Sequence, residues 1–536
     1  MNIAFIPIDN RPVCYTLPEQ VCAINSSINL FMPERKYLGS LTKYADVDKI
    51  FEWLEKIPQV DAIVMCLDTV AYGGLISSRR CPDAFDEIKN RVENLKSILE
   101  KKNAKIYAFS SIMRISNNNV NEEEKEYWDK WGKKIFDYSY QTHKLGTESC
   151  ISNIIPSEIL DDYLATRKRN FEINKLYLEY QKQGLFDTLV FSKDDCAEYG
   201  FNVQEAQVLE KLGGFIKTGA DEIPLTLLAR AVVKFFDAKM QRCEDAKSFT
   251  EPVAQSRHCE CERSNSVNSK VVGRDYCFDD ETSLKISPIF LAPEYKGLIS
   301  NYEDVSIEKS VKGQLELAGC KVCEPDEADI LLYVNNFEDH QGEIVMKVPT
   351  KPFSKKWQRP EKPYMIADVR YANGADNEFV KQLFEVGLGD NFYGYSAWNT
   401  SANSLGSLIC GAVVKYYGFK LQRCQDAKYF ADPVTQSRHC ECEQSNPVNS
   451  KTVARNYYPD NKNENFLKLQ TIRFLDDWAY QANVRQELNS PDEKLVKEKM
   501  KPYEKMVFGL LGVDYNISYK FTWNRLFEVE ICILSN

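Results

Sequence analysis

Ten apolar runs of strand length, separated by stretches with helical periodicity, constrain this chain more than any other feature. The runs lie at 3–8, 30–33, 62–67, 105–110, 188–192, 214–218, 286–292, 328–335, 364–368 and 392–397. Amphipathic helices are expected between them at 83–102, 123–137, 157–183, 202–212, 222–237, 305–318 and 402–417. Continuous apolar strands alternating with helices imply parallel sheet covered on both faces. The predicted class is α/β, built from parallel β/α units. Two arrangements fit: a (β/α) barrel-like core, or two doubly wound domains over 1–237 and 280–417 facing each other across a cleft. More than eight strands favours the split. The last stretch differs, with helix near 463–486 and a strand-like FTWNRLFEVEICIL, and reads as a helical/β appendage.

One repeat interrupts this pattern. Residues 240–276 and 421–457 are identical at 26 of 37 positions. The resulting order is a β/α region over 1–239, a repeated block over 240–276, a second β/α region over 277–420, the second block over 421–457 and the appendage over 458–536. His258, Cys259 and Cys261, with their twins His439, Cys440 and Cys442, are the metal-ligand candidates in these blocks. The spacing H-C-x-C lacks the wider gap of zinc knuckles. The remainder is polar and aperiodic, as exposed loops are, and no metal is expected. The blocks resemble translated palindromic elements that some bacterial genomes carry in frame, which makes them passengers.

Bulk properties narrow the function. A net charge of −10 repels phosphate backbones, so nucleic acid is not an expected partner. No run reaches the roughly 18 apolar residues of a membrane span, and MNIAFIPIDNRP lacks the basic start of a secretory signal. The 17 cysteines are scattered through core-like segments, as with Cys66 and Cys410, which fits buried thiols in a reducing cytoplasm.

The chemistry is expected where strands end. Asp9 and Arg11 follow the first strand, Asp68 and Tyr72 the third, Arg114 the fourth, and Asp194 and Asp195 the fifth. Asp221 and Glu222 follow the sixth, and later ends bring Asp368, Asn373, Trp398 and Asn399. Charges at the mouths of buried strands are costly unless paired or solvated, and helix capping does not account for so many. Asp194 and Asp195 are the catalytic candidates. Two close carboxylates repel, so one stays protonated as a general acid while its neighbour stays charged. The others are candidate substrate ligands, with aromatic faces for sugar rings and Asn, Asp and Arg for hydroxyls. Neither a nucleophile elbow, a Walker loop nor a dinucleotide fingerprint is present.

The phrases IPIDNRPVCY, LDTVAYGGLISSR, FSKDDCAEYG, TGADEIPLTLLAR, IADVRYANGAD, AWNTSANSLG and FLDDWAYQANVR, in this order, resemble the domain-of-unknown-function family DUF4127. The resemblance covers the chain to about residue 485 outside the two blocks and implies no particular activity. LVFSKDD is also similar to the acidic strand end of sugar hydrolases that use the substrate's acetamido group. The leading expectation is therefore a cytoplasmic, cofactor-free, glycosidase-like hydrolase of a small sugar-like substrate, with acetamido sugars as a candidate class. The alternatives are a non-catalytic sugar-binding or sensing protein, and a magnesium-dependent phosphosugar enzyme. The latter would use Asp9, Asp68, Asp194 and Asp195 on the metal and Arg11, Arg79 and Arg114 on the phosphate. Excision of 240–276 and 421–457 is expected to leave the thermal midpoint, measured by circular dichroism, and the metal content unchanged.

Overall fold

The computed structural model describes residues 1–194, 197–248, 283–431 and 463–534. Asp195 and the blocks' His258, Cys259, Cys261, His439, Cys440 and Cys442 lie outside them. The first sheet contains β1 (Asn2–Ile6), β2 (Asn29–Phe31), β3 (Ala62–Cys66), β4 (Lys105–Ser111), β5 (Thr188–Lys193) and β6 (Phe215–Thr218). The second contains β7 (Lys285–Phe290), β8 (Lys321–Val322), β9 (Ile330–Asn335), β11 (Tyr364–Asp368) and β13 (Phe392–Ser396), while β10 (Gly342–Glu343) and β12 (Tyr371–Ala372) form a small pair beside it. Hairpin strands β14 (Asn516–Phe521) and β15 (Val529–Leu534) end the described chain.

Both large sheets are open and parallel. Their orders are β2-β1-β3-β4-β5-β6 and β8-β7-β9-β11-β13. The doubly wound arrangement is thus the one adopted, and the barrel is not. Each sheet reverses direction beside its first strand, between β1 and β3 and between β7 and β9. Such a switch point opens a crevice at the carboxyl ends of the strands.

The helices are α1 (Thr16–Cys22), α2 (Val47–Lys56), α3 (Leu67–Tyr72), α4 (Leu75–Arg80), α5 (Phe85–Leu99), α6 (Trp128–Leu145), α7 (Ser157–Lys182) and α8 (Phe201–Lys211). They continue with α9 (Ile223–Ser248), α10 (Ile307–Leu317), α11 (Asn377–Val386), α12 (Ser401–Ala431), α13 (Glu464–Arg473) and α14 (Glu493–Leu511). Helices α9 and α12 run on into the first residues of the two repeated blocks, which the sequence had led us to read as loop from their start. Between α13 and α14 the segment Phe474–Asn483 winds as a π-helix. No helix among the described residues is long and apolar enough to cross a membrane.

Strand alternation accounts for the layering. Ile3, Phe5, Val64, Cys66, Phe109 and Val190 face α9 in the large shared core. Their neighbours Ala4, Ile6, Ile63, Met65, Ala108 and Phe191 face the opposite way, into a second core covered by outer helices of the first sheet. Cys66 and Cys410 are buried free thiols.

Helices α9 and α12 join the two sheets. A side chain at Gly406 of α12 would begin 2.9 Å from the Glu222 carbonyl oxygen, so the glycine permits close approach. Phe236 stacks on Tyr417 at 5.6 Å, and the Ser407 amide donates to Glu222 Oε2 at 3.0 Å. On the same side, the Lys193 ammonium pairs with Asp304, which also accepts the Thr218 hydroxyl at 3.2 Å. The carboxyl ends of the two sheets are thereby held face to face.

Candidate functional site

Arg11 sits where the first sheet opens. The turn after β1 is closed by Asp9, whose Oδ1 accepts the Arg11 amide at 2.9 Å. The Arg11 guanidinium donates to Asp9 Oδ2 at 2.9 Å and forks onto Asp221, at 3.1 and 2.5 Å, beyond the end of β6. Glu528 approaches it at 3.5 Å, and the Trp523 ring lies 5.1 Å from it. Arg11 and Asp9 are 4% and 3% exposed, which makes the pairing obligatory, since an isolated buried charge is not tolerated.

From Arg11 a belt of alternating charge runs around the crevice. Glu528 pairs with Arg525 at 2.6 Å, Arg525 with Glu123 at 2.7 Å, and Glu123 with Arg114 at 2.8 Å. Glu124 then joins Arg114 and Arg79, each at 3.2 Å. Burial pushes the Glu123 carboxyl up, but Arg114, Arg79, Arg525 and Arg11 together outweigh it and hold the group well below the usual carboxylate range.

The belt encloses a cavity of about 200 Å³ between the sheets. Arg11, Arg114, Asp194 and Asp221 line it from the first sheet, Asn373, Asn399, Thr400 and Tyr302 from the second, and Phe527 from the hairpin. Six of the residues expected from strand ends therefore meet here: Arg11, Arg114, Asp194, Asp221, Asn373 and Asn399. Three cavity residues hold left-handed backbone without being glycine: Tyr302 (φ 67°), Asn373 (φ 60°) and Asn399 (φ 59°). Such strain costs on the order of 1–3 kcal/mol per residue and persists where the surroundings enforce it, as at ligand sites. Asn373 is fixed by donating to Glu343 at 2.7 Å, and its amide donates to the Asn399 carbonyl at 2.9 Å.

The other expected residues stand back from the cavity. Asp9 lies behind Arg11. Tyr72 is buried in the outer core of the first sheet, with the Arg169 guanidinium 5.4 Å from its ring. Glu222 is turned into the α9–α12 contact, where burial pushes its carboxyl well up. Asp368 accepts from Asn335 at 2.8 Å, the Asp376 amide at 2.8 Å and the Tyr395 hydroxyl at 3.1 Å. Burial and the nearby Asp376 charge raise it. Trp398 is buried beside Phe527, with ring centres 5.9 Å apart. Arg79, the third expected phosphate ligand, is buried against Glu123 and Glu124.

Asp68 stands one step from the cavity. It begins α3 at the end of β3, 1% exposed, and its Oδ2 accepts the Ser111 amide at 2.8 Å. Burial raises its pKa from 3.8 to about 6. A recess of about 10 Å³, lined in part by Ser111, Ser192, Arg79, Arg114 and Asp194, shares Leu75, Arg114 and Asp194 with the main cavity. Thus Asp9, Asp68 and Asp194 share one sheet edge, although of the three only Asp194 reaches the cavity. Among the described residues no group of three or more His, Cys, Asp or Glu is arranged to hold a metal ion.

Sequence reading did not identify Glu123, Tyr302 or the hairpin residues Trp523, Arg525, Phe527 and Glu528 as site residues. The nearest signal for the last four was the charge set within the strand-like FTWNRLFEVEICIL.

Two measurements probe this electrostatic frame. Arg11→Met strands Asp9, Asp221 and Glu528 together, so urea unfolding is expected to show a loss of about 3–5 kcal/mol. Arg11→Lys is expected to recover only part of it, because an ammonium cannot reproduce the two-carboxylate fork. For Asp68, the folded protein binds the proton more tightly than the unfolded chain, so stability is greatest below pH 3.8 and declines as pH rises to about 6. Asp68→Asn is expected to flatten that slope, becoming more stable than wild type at pH 7 by up to about 3 kcal/mol while matching it at acid pH.

Comparison with known proteins places the chain in a family. No curated protein and no solved structure matches it. A family model does match, over residues 3–506, which takes in both sheets and the π-helix but stops short of the hairpin that supplies Phe527 and Glu528. The chain belongs to DUF4127, a family described as proteins of unknown function.

Proposed function

We propose that the protein is a carbohydrate-active hydrolase that binds one sugar ring in the cavity between its two sheets. Asp194, paired with its neighbour Asp195, would provide the carboxylate chemistry. The observation that carries this reading is the position of Asp194, at the end of β5 on a cavity whose other polar groups come from both sheets. Carboxylates, side-chain amides and the Thr400 hydroxyl are the groups that fork onto sugar hydroxyls and onto an acetamido group. A volume of about 200 Å³ lies below the roughly 300–1,000 Å³ of pockets for larger ligands and suits a single ring.

Charge matching weighs against a phosphorylated substrate. Arg11 is held by Asp9 and Asp221, and Arg114 by Glu123 and Glu124. A phosphate entering here would compete with carboxylates for both guanidiniums, whereas a neutral polyol would not. In the hydrolytic reading, one carboxyl of the Asp194–Asp195 pair protonates the leaving oxygen and the other remains ionised to polarise the substrate amide or activate water.

Chromogenic glycosides, including N-acetylhexosaminides, test this with wild type, Asp194→Asn and Asp195→Asn. Turnover by the wild type is expected to fall about 100-fold or more in either variant. Equal turnover in all three would remove the pair from the mechanism. Saturable sugar binding by calorimetry with no turnover would assign a binding role instead.

A further inference from the structure

Asp68 is a buried carboxyl that the reaction as written does not use. The sheet register explains how it comes to lie beside the cavity. Cys66 of β3 pairs with Phe109 of β4, which brings Asp68, two residues on, level with Ser111. Ser111 in turn pairs with Ser192 of β5, two residues before Asp194. Three adjacent strands thus place a carboxyl and two hydroxyls in a row along the sheet edge. The Ser111 amide donates to Asp68 Oδ2 at 2.8 Å, the Ser111 hydroxyl also hydrogen-bonds this carboxyl, and the Ser192 hydroxyl donates to the Ser111 oxygen at 3.5 Å. The row ends at the recess of about 10 Å³ that Ser111 and Ser192 share with Asp194, a space the size of one water molecule.

We propose that Asp68 is a proton reservoir for the cavity, connected to Asp194 through the hydroxyls of Ser111 and Ser192. This rests on the reading of Asp194 as the group that exchanges protons with substrate. After Asp194 has given its proton to a leaving group, Asp68 passes a proton to the Ser111 oxygen. Ser111 hands its own hydroxyl proton to Ser192, Ser192 hands its proton to a water molecule in the recess, and that water hands one of its own protons to Asp194. Each hydroxyl and the water end with as many protons as they began with, turned over in direction, and one proton has moved from Asp68 to Asp194. The reverse sequence refills Asp68 when the cavity is open to solvent.

The surroundings of Asp68 suit such a store. Cys66 at the end of β3 donates to it at 3.8 Å, and Tyr72 of α3 and Tyr177 of α7 face it; burial pushes all three up, so they stay neutral at ordinary pH. Arg169 of α7 is engaged over the Tyr72 ring, and Arg91 of α5 donates to the Ala71 carbonyl at the end of α3. With a pKa raised to about 6, the group is poised to give up and regain a proton near neutrality.

Carbon-13 NMR of aspartate carboxyls tests the relay independently of turnover, with Asp68→Asn assigning the resonance. In wild type the Asp68 signal is expected to move as one exchanging peak through pH 6. In Ser192→Ala and Ser111→Ala its protonation exchange is expected to slow by about tenfold or more, and Ser192→Thr, which keeps the hydroxyl, to restore it. Where a glycoside is cleaved, the two alanine variants are expected to lose kcat on the alkaline side at unchanged KM, with partial recovery in imidazole buffer. Equal exchange rates in wild type and both alanine variants would overturn the relay. Absence of glycoside turnover in wild type would overturn the proposed function, and the NMR comparison would still decide for or against the path.

Discussion

A guanidinium placed at the mouth of the first sheet organises the molecule around it. Arg11 cannot be buried without its carboxylates, and those come from its own turn, with Asp9, and from two distant parts of the chain, with Asp221 after β6 and Glu528 in the hairpin. Each partner fixes the backbone that carries it. Asp221 ties the start of α9 to the turn after β1, and Glu528 draws the hairpin across the crevice, where Arg525 continues the belt to Glu123. A buried ion pair is weak evidence for net stability, because desolvation offsets most of the attraction. Its effect here is on uniqueness of arrangement, since loss of any one partner leaves a charge without an answer.

The same frame sets the character of the cavity. Field lines from Arg11 and Arg114 end on nearby carboxylates and project little into the open space, so hydrogen-bond geometry governs what is held there. That geometry is held rigidly. The left-handed backbone at Asn373, Asn399 and Tyr302 lies where the chain leaves β11 and β13 and in the loop after β7.

The alternation of strand-length apolar runs with helices was legible in the sequence, and with it the α/β class; between a barrel and two sheets only the strand count spoke, and it favoured the split. The polarity of strand ends was legible too, which is why Arg11, Arg114, Asp194, Asp221, Asn373 and Asn399 stood out in the sequence before their meeting in space. Which way a polar residue turns after leaving its strand was not. Asp68 enters α3 at once and is folded under it, while Asp194 enters a loop and stays at the mouth. Trp398 looked like a platform for sugar rings, yet it packs behind Phe527, a residue whose placement depends on contacts spanning hundreds of positions. The π-helix in FLDDWAYQAN carries no side-chain spacing that would separate it from an α-helix in the sequence.

The lengths of α9 and α12 have a consequence for where the two repeated blocks join the fold. Both helices begin at the cavity, next to Asp221 and Thr400, and at 1.5 Å per residue they carry the chain roughly 40 Å away before the bulk of each repeated block begins. The first residues of each repeated block thus form the far ends of two paired helices, a helix's length from the strand mouths. A scaffold of this shape puts the start of each repeat at the opposite end of a rod from the cavity.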